Sequence, residues 1–125
     1  MSAAKSGACC GGPKLIFACS GAADVGEIAD RAARRLTRNG SGSMFCLAGI
    51  GGRIDGIVKK TQSASKVLAI DGCELDCVKS CLHEAGFQTF EHLRVTDLGM
   101  RKGQTPVTEE NVTKVVAKGT EAVTS

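Results

Sequence analysis

Seven cysteines in a chain of 125 residues are the part of this sequence best able to do chemistry. Three of them recur at a fixed interval: Cys19, Cys46 and Cys73 stand 27 residues apart (46 − 19 and 73 − 46). Cys77 follows Cys73 by four positions, one helical turn, a spacing that presents two thiols on the same side. Sulfur is a soft ligand, and four thiolates about 2.3 Å from a central ion make the tetrahedral set that zinc favours. Iron or an Fe–S cluster accepts the same ligand type and is the alternative cofactor. Cys19, Cys46, Cys73 and Cys77 are therefore the candidate metal ligands, with zinc the expected ion. The spacing is not that of a zinc finger, whose ligands come as close pairs in tiny domains. Here one close pair is joined by two distant single residues.

The remaining cysteines are read differently. Cys81 extends the run 73, 77, 81, but helical rotation brings it to the edge of the Leu75, Val78 and Leu82 face, which predicts core packing. Cys9 and Cys10 lie in residues 1–12, expected to be a flexible segment ahead of a single domain over 13–125, and no role is assigned to them. An odd count argues against a disulfide framework, and the chain reads as cytoplasmic, where thiols stay reduced. The second chemistry open to this set is thiol redox or persulfide handling. Cys73 at a helix N-terminus would act with Cys77 or Cys19 as resolving partner. Its C-x3-C spacing departs from the C-x-x-C of thioredoxin-like sites. His83 and His92 read as solvated side chains rather than ligands.

These residues need elements to position them, and the chain alternates strand and helix signals. Lys14–Cys19 (KLIFAC) is a short apolar run suited to a buried parallel strand. Asp24, three residues before Glu27, has the arrangement of a capping box, and Val25, Ile28, Ala29, Ala32 and Leu36 then recur at helical spacing until Asn39-Gly40. Arg31, Arg34, Arg35 and Arg38 form a stripe on another side of that helix, read as its solvated face. Ser43–Ile50 reads as a second strand containing Cys46, Gly51-Gly52 as a turn, and Ile54, Ile57 and Val58 as one side of a shorter helix. Lys66–Ile70 is a third strand. It runs into Asp71, expected to be an N-cap with Glu74 at N3, and Leu75, Val78, Leu82 and Ala85 follow as a buried helix face. Gln88–Val95 is a candidate edge strand. Thr105-Pro106 suits a helix start, with Val112, Val115, Val116 and Val123 packing a last helix on the sheet.

The order βαβαβα predicts an α/β fold: a single-domain three-layer sandwich with a small, mostly parallel sheet of flavodoxin or Rossmann type. Ligands of such sheets bind beyond the carboxyl ends of the strands, where strand order reverses. That is the edge at which the four cysteines fall. Composition excludes several other classes. A net charge of +3 with four Phe, no Trp and no Tyr lacks both the basic patch and the stacking platforms of a nucleic-acid binder. No stretch has the ~18 apolar residues of a membrane span, and the start lacks a signal-peptide core. The expected partner is a metal ion; nothing in the sequence indicates a protein partner.

The segments CSGAADVGEIADRAARRL, CLAGIGG and AIDGCELDC resemble the DGC domain family, named for its Asp-Gly-Cys triplet. The resemblance runs from about Lys14 to Val95 and continues through TPVTEENV. It implies four zinc-binding cysteines, which fall on Cys19, Cys46, Cys73 and Cys77. It implies no reaction, and no catalytic motif is present. The loop after Cys19 occupies the position of the C-x5-R phosphate loop of low-molecular-weight tyrosine phosphatases, but Val25 stands where the arginine is needed. Gly49, Gly51 and Gly52 lack the G-x-G-x-x-G spacing of a nucleotide loop.

Overall fold

The computed structural model describes residues 11–125. Cys9 and Cys10 lie outside the described residues. Four strands, β1 (Lys14–Ala18), β2 (Ser43–Met44), β3 (Lys66–Asp71) and β4 (Glu91–Arg94), form one sheet in the order β2-β1-β3-β4. Every pairing is parallel. Both faces are covered, which is why β1 and β3 read as unbroken apolar runs. Ile16 and Ala18 of β1, with Leu68 and Ile70 of β3, face α1 (Asp24–Arg38) and α5 (Glu109–Thr124). Leu15, Phe17 and Ala69 point the other way, toward α2 (Leu47–Gly51), α3 (Asp55–Gln62) and α4 (Cys77–Glu84). The result is the three-layer α/β fold that the strand–helix alternation predicts.

The chain leaves β1 for β2 on one side and later enters β3 on the other. The reversal of strand order therefore falls between β1 and β3, where ligands of such sheets collect. Cys19 N–H donates to the Ile70 carbonyl at 3.1 Å, so the two central strands are still joined where they run out.

Several local expectations give way to tertiary packing. The second strand is only two residues long, because Phe45 N–H makes one more bond to the Ile16 carbonyl and the chain then turns into α2. An eight-residue apolar run fits either a strand or a buried helix, and its periodicity does not arbitrate. Gly49 settles the matter in space: Ile57 of α3 packs where a Cβ would be, with Cδ1 2.2 Å from that position. The edge strand is shorter than expected and passes into a 3-10 turn, Val95–Leu98. The last helix starts at Glu109 rather than at Thr105-Pro106, capped by the Thr108 hydroxyl, which accepts from Asn111 N–H. Of the arginine stripe, Arg31 pairs with Glu27 and Arg34 with Asp30 on the exposed face, while Arg35 is half-buried and pairs with Glu109 of α5.

Asp24 is not an N-cap. Ala23 holds that place, and the Asp24 carboxylate reaches across the fold to accept the N–H groups of Gly103 at 2.9 Å and Thr105 at 3.0 Å. It thereby fixes the loop after the 3-10 turn against the start of α1. The Gly103 N–H is the largest influence holding its carboxyl below the ordinary value of 3.8, and Thr105 adds to it. A depressed folded-state pKa gives stability that is present above the unfolded value and lost as pH falls through the folded one. Asp24→Asn should therefore be less stable than the parent at neutral pH. In urea titrations the gap should narrow as pH drops below 3.8; a gap that widens in acid would show that the carboxylate does not carry this contact.

Candidate metal centre

The Asp-Gly-Cys triplet begins on the last residue of β3, and each residue has a separate physical task. Asp71 is buried, 1% exposed. It does not cap a helix beginning next to it, because α4 starts six residues later, at Cys77. Its carboxylate instead reaches over the intervening loop and accepts the N–H of Val78 at 2.7 Å through Oδ1 and of Lys79 at 3.2 Å through Oδ2. Two of the orphan donors of the first turn of α4 are thus satisfied from the end of β3. His92 Nε2 lies 2.9 Å from Asp71 Oδ2.

Gly72 is the point of closest approach between the β3 loop and α1. A Cβ there would stand 2.9 Å from the Val25 carbonyl carbon and 3.0 Å from Gly26 N, both backbone atoms that cannot rotate aside. Gly26 is confined in the same way by the Gly21 backbone, with 2.6 Å to its carbonyl oxygen. The loops after β1 and after β3 are therefore both pressed against the start of α1 by glycines, and Cys19 and Cys73 ride on them. Cys73 is half-buried against the α1/α5 side of the core, and Lys102 Nζ lies 3.7 Å from its Sγ. Lys102 stands in the loop that Asp24 holds.

The loop over 73–76 returns through Asp76, which adopts left-handed backbone, φ 53°. Aspartate tolerates that region better than most residues, and strain of this kind gathers at functional sites. A bidentate pair holds it: Arg94 Nε to Oδ1 at 2.9 Å and Nη2 to Oδ2 at 2.6 Å. The Arg94 guanidinium keeps the Asp76 carboxyl below its ordinary range. On the β1 side, Ser20 is also left-handed, φ 53°, and its hydroxyl donates to Asp30 Oδ1 at 2.7 Å. Each of these turns lies next to a cysteine.

The structure distributes the four candidate ligands over four separate positions. Cys19 follows β1, Cys46 is the residue before α2, Cys73 lies in the β3 loop and Cys77 opens α4. Cys46 thus stands at a turn and is exposed, not within a strand as expected. Cys73 and Cys77 are not one helical turn apart on a single helix, since only Cys77 is helical; Leu75, expected in the core, is 66% exposed. Cys81 is the residue one turn after Cys77, and it is half-buried against the α2/α4 side of the core, as expected in part. It also lines, with Cys19 and Cys46, a cleft of about 480 Å³ at the carboxyl edge. All five described cysteines are free thiols. Desolvation is the largest influence raising the Cys77 thiol, followed by the Asp71 carboxylate and then Cys19, Cys73 and Cys81. These groups are thus close enough to oppose one another's ionisation.

Among the described residues, one set of three potential ligands has all its ligand atoms within 4.8 Å of one another, and it is not made of thiols. It consists of Asp71, Asp76 and His92. The carboxylates of that set are already engaged by Val78 N–H, Lys79 N–H and Arg94. A guanidinium at 2.6 Å opposes a second cation there. The cluster is better described as a brace for the β3–α4 loop. His92 is the site residue that sequence reasoning missed; it lies on a strand whose alternation is poor, and nothing local marks its partner 21 positions away. No three of the described thiols have their sulfurs within 4.8 Å of one another, a wider spread than the ~3.8 Å edges of a zinc–sulfur tetrahedron. Their chemistry fits a thiophilic divalent ion, and their positions ring one edge of the sheet.

The sequence profile of the DGC domain matches residues 15–118. The chain belongs to the DGC domain family. It is also similar to the anaerobic and virulence modulator AnvM of Pseudomonas aeruginosa, 39% identical over 88 residues, covering 70% of this chain and 67% of AnvM. No solved structure matches the chain. Among the described residues no helix is long and apolar enough to cross a membrane. The Asp-Gly-Cys signature of this DGC protein is thus a buried cap, a contact without room for a side chain, and a thiol.

Gly72→Ala should destabilise by about 1–3 kcal/mol through overpacking against α1. Asp71→Ala should cost a similar ~1–3 kcal/mol, because Val78 N–H is left buried without an acceptor. Chemical denaturation of both variants checks this. A Gly72→Ala protein as stable as the parent would mean that the β3 loop is not in contact with α1.

Proposed function

We propose that this protein binds one zinc ion through Cys19, Cys46, Cys73 and Cys77 at the carboxyl edge of its sheet, in a reducing compartment such as the cytoplasm. The observation that carries the reading is the placement of four thiols on separate elements at one edge of the sheet, Cys19 and Cys46 lining one cleft and Cys19 and Cys73 near enough to Cys77 to act on its ionisation. Burial first, then the Asp71 carboxylate, and after it Cys19 and Cys73 press its sulfur toward the neutral form. A divalent cation removes that mutual opposition and lets several thiols ionise together. Lys102, in contact with the Cys73 sulfur, complements the net negative charge that four thiolates retain around zinc. Bound zinc supplies a charge that ties the β1, α2, β3 and α4 junctions together; with four sulfur ligands it keeps no open position for a substrate. The chain's own residues do the rest. Asp71 and Gly72 set the path of the β3 loop, and Arg94 holds the turn that leads into Cys77.

A thiol-redox role is the second reading, favoured by the placement of Lys102 beside Cys73. In that case hydrogen peroxide takes two electrons and two protons from Cys73 and Cys77 or Cys19, its O–O bond breaks, and a disulfide and two waters are left. Metal analysis separates the two. Protein purified without added metal should carry about one zinc per chain, and Cys73→Ser should lose most of it. Chelation should lower the unfolding temperature, since the metal binds the folded state. Metal near zero, with the thiols all titratable in native protein, contradicts the zinc reading.

A further inference from the structure

We propose that the carboxyl-edge cleft takes up a low-molecular-weight disulfide bearing a carboxylate, and that Cys46 forms a mixed disulfide with it. A zinc-bound sulfur is masked, so the reaction belongs to the metal-free chain and stands apart from the zinc reading above. The cleft holds about 480 Å³, within the range that small organic molecules occupy. Ala18, Met44, Phe45 and Leu47 give it apolar walls suited to the soft, weakly hydrated sulfur pair of a disulfide. Cys46 is exposed there, with the half-buried Cys19 and Cys81 lining the same space. Among the described residues Cys46 and Cys77 are the two exposed thiols, and of these Cys46 alone lines the cleft.

The carboxylate is called for by the α1 wall of the cleft, where Asp30 and Arg34 stand. Asp30 is fully engaged: the Ser20 hydroxyl donates to its Oδ1 at 2.7 Å and Arg34 Nε to its Oδ2 at 2.7 Å. That bond holds the guanidinium at the cleft while using one of its five N–H donors. Among the described residues Asp30 is its one charged partner, so the two outer amino groups are left for a second carboxylate in the forked arrangement that arginine favours. The reaction is thiol–disulfide exchange. Cys46 Sγ attacks one sulfur of the bound disulfide, a new S–S bond forms to Cys46 as the old one breaks, and the departing sulfur keeps the electron pair and takes the proton that Cys46 gives up. The disulfide is itself the oxidant.

Two probes test this on the reduced full chain in EDTA: glutathione disulfide, and bis(2-hydroxyethyl) disulfide, which lacks a carboxylate. Intact mass and peptide mapping follow the labelling of each thiol with time. Glutathione disulfide should label Cys46 ahead of Cys77. Arg34→Gln should slow that labelling about two- to fivefold, the effect of an exposed charge pair, and leave labelling by the hydroxyethyl probe unchanged. Arg34 is exposed and outside the core, so the variant should fold, and circular dichroism verifies it. Cys77 labelled as fast as Cys46, Cys46 left unlabelled, or a glutathione rate at Cys46 indifferent to Arg34 would each overturn the inference, whatever the metal content of the purified protein.

Discussion

The carboxylate of Asp71 sits almost wholly out of water where β3 ends, a position that costs several kcal/mol unless hydrogen bonds replace the lost hydration. Val78 N–H, Lys79 N–H and the His92 ring supply that replacement. The constraint is mutual. The acid stays buried only if the first turn of α4 points its free N–H groups back at it, and α4 begins where it does because those groups find an acceptor there. The five residues between must then loop out over the carboxyl edge and return, with Cys73 near one end of the excursion and Cys77 just past the other. Gly72 brings that loop against α1, and Asp76 turns it back under the grip of Arg94.

This arrangement places thiols at the ends of elements rather than along one of them. A zinc finger holds its metal within a few dozen residues and folds around it. Here the sheet and its two helical layers supply a core without the metal, and the sulfurs stand on four junctions around the reversal between β1 and β3. An ion bound there, as proposed, would crosslink those junctions, and distortion of Asp71 or Gly72 would then weaken its site. The Asp71, Asp76 and His92 cluster belongs to the support and not to the ligand set, because its oxygens are occupied and Arg94 stands against it.

Much of this was legible in the residues. The runs at Lys14 and Lys66 are apolar on both faces because helices cover both faces, and the alternation with amphipathic helices leaves a parallel sheet as the natural arrangement. The regular spacing of Cys19, Cys46 and Cys73 marks one thiol per strand–helix unit, and all three lie at the carboxyl edge. What could not be read were consequences of long-range contact. Asp71 and Asp24 both have the local pattern of helix caps, yet each carboxylate serves a more distant partner: Val78 for one, Gly103 and Thr105 for the other. The SMFCLAGI run bends into α2 because Ile57 fills the space beside Gly49. Cys81 satisfies a core pattern and still reaches the cleft, since a helix face one sulfur wide can do both.

Soft sulfur at the carboxyl edge, and not the oxygen and nitrogen cluster beside it, is the proposed holder of a zinc ion. Anomalous diffraction at the zinc edge from crystals of protein purified without added metal tests it most directly. Zinc at the proposed site gives one strong peak among Cys19, Cys46, Cys73 and Cys77. A peak between Asp71, Asp76 and His92 with the thiols unligated would contradict it.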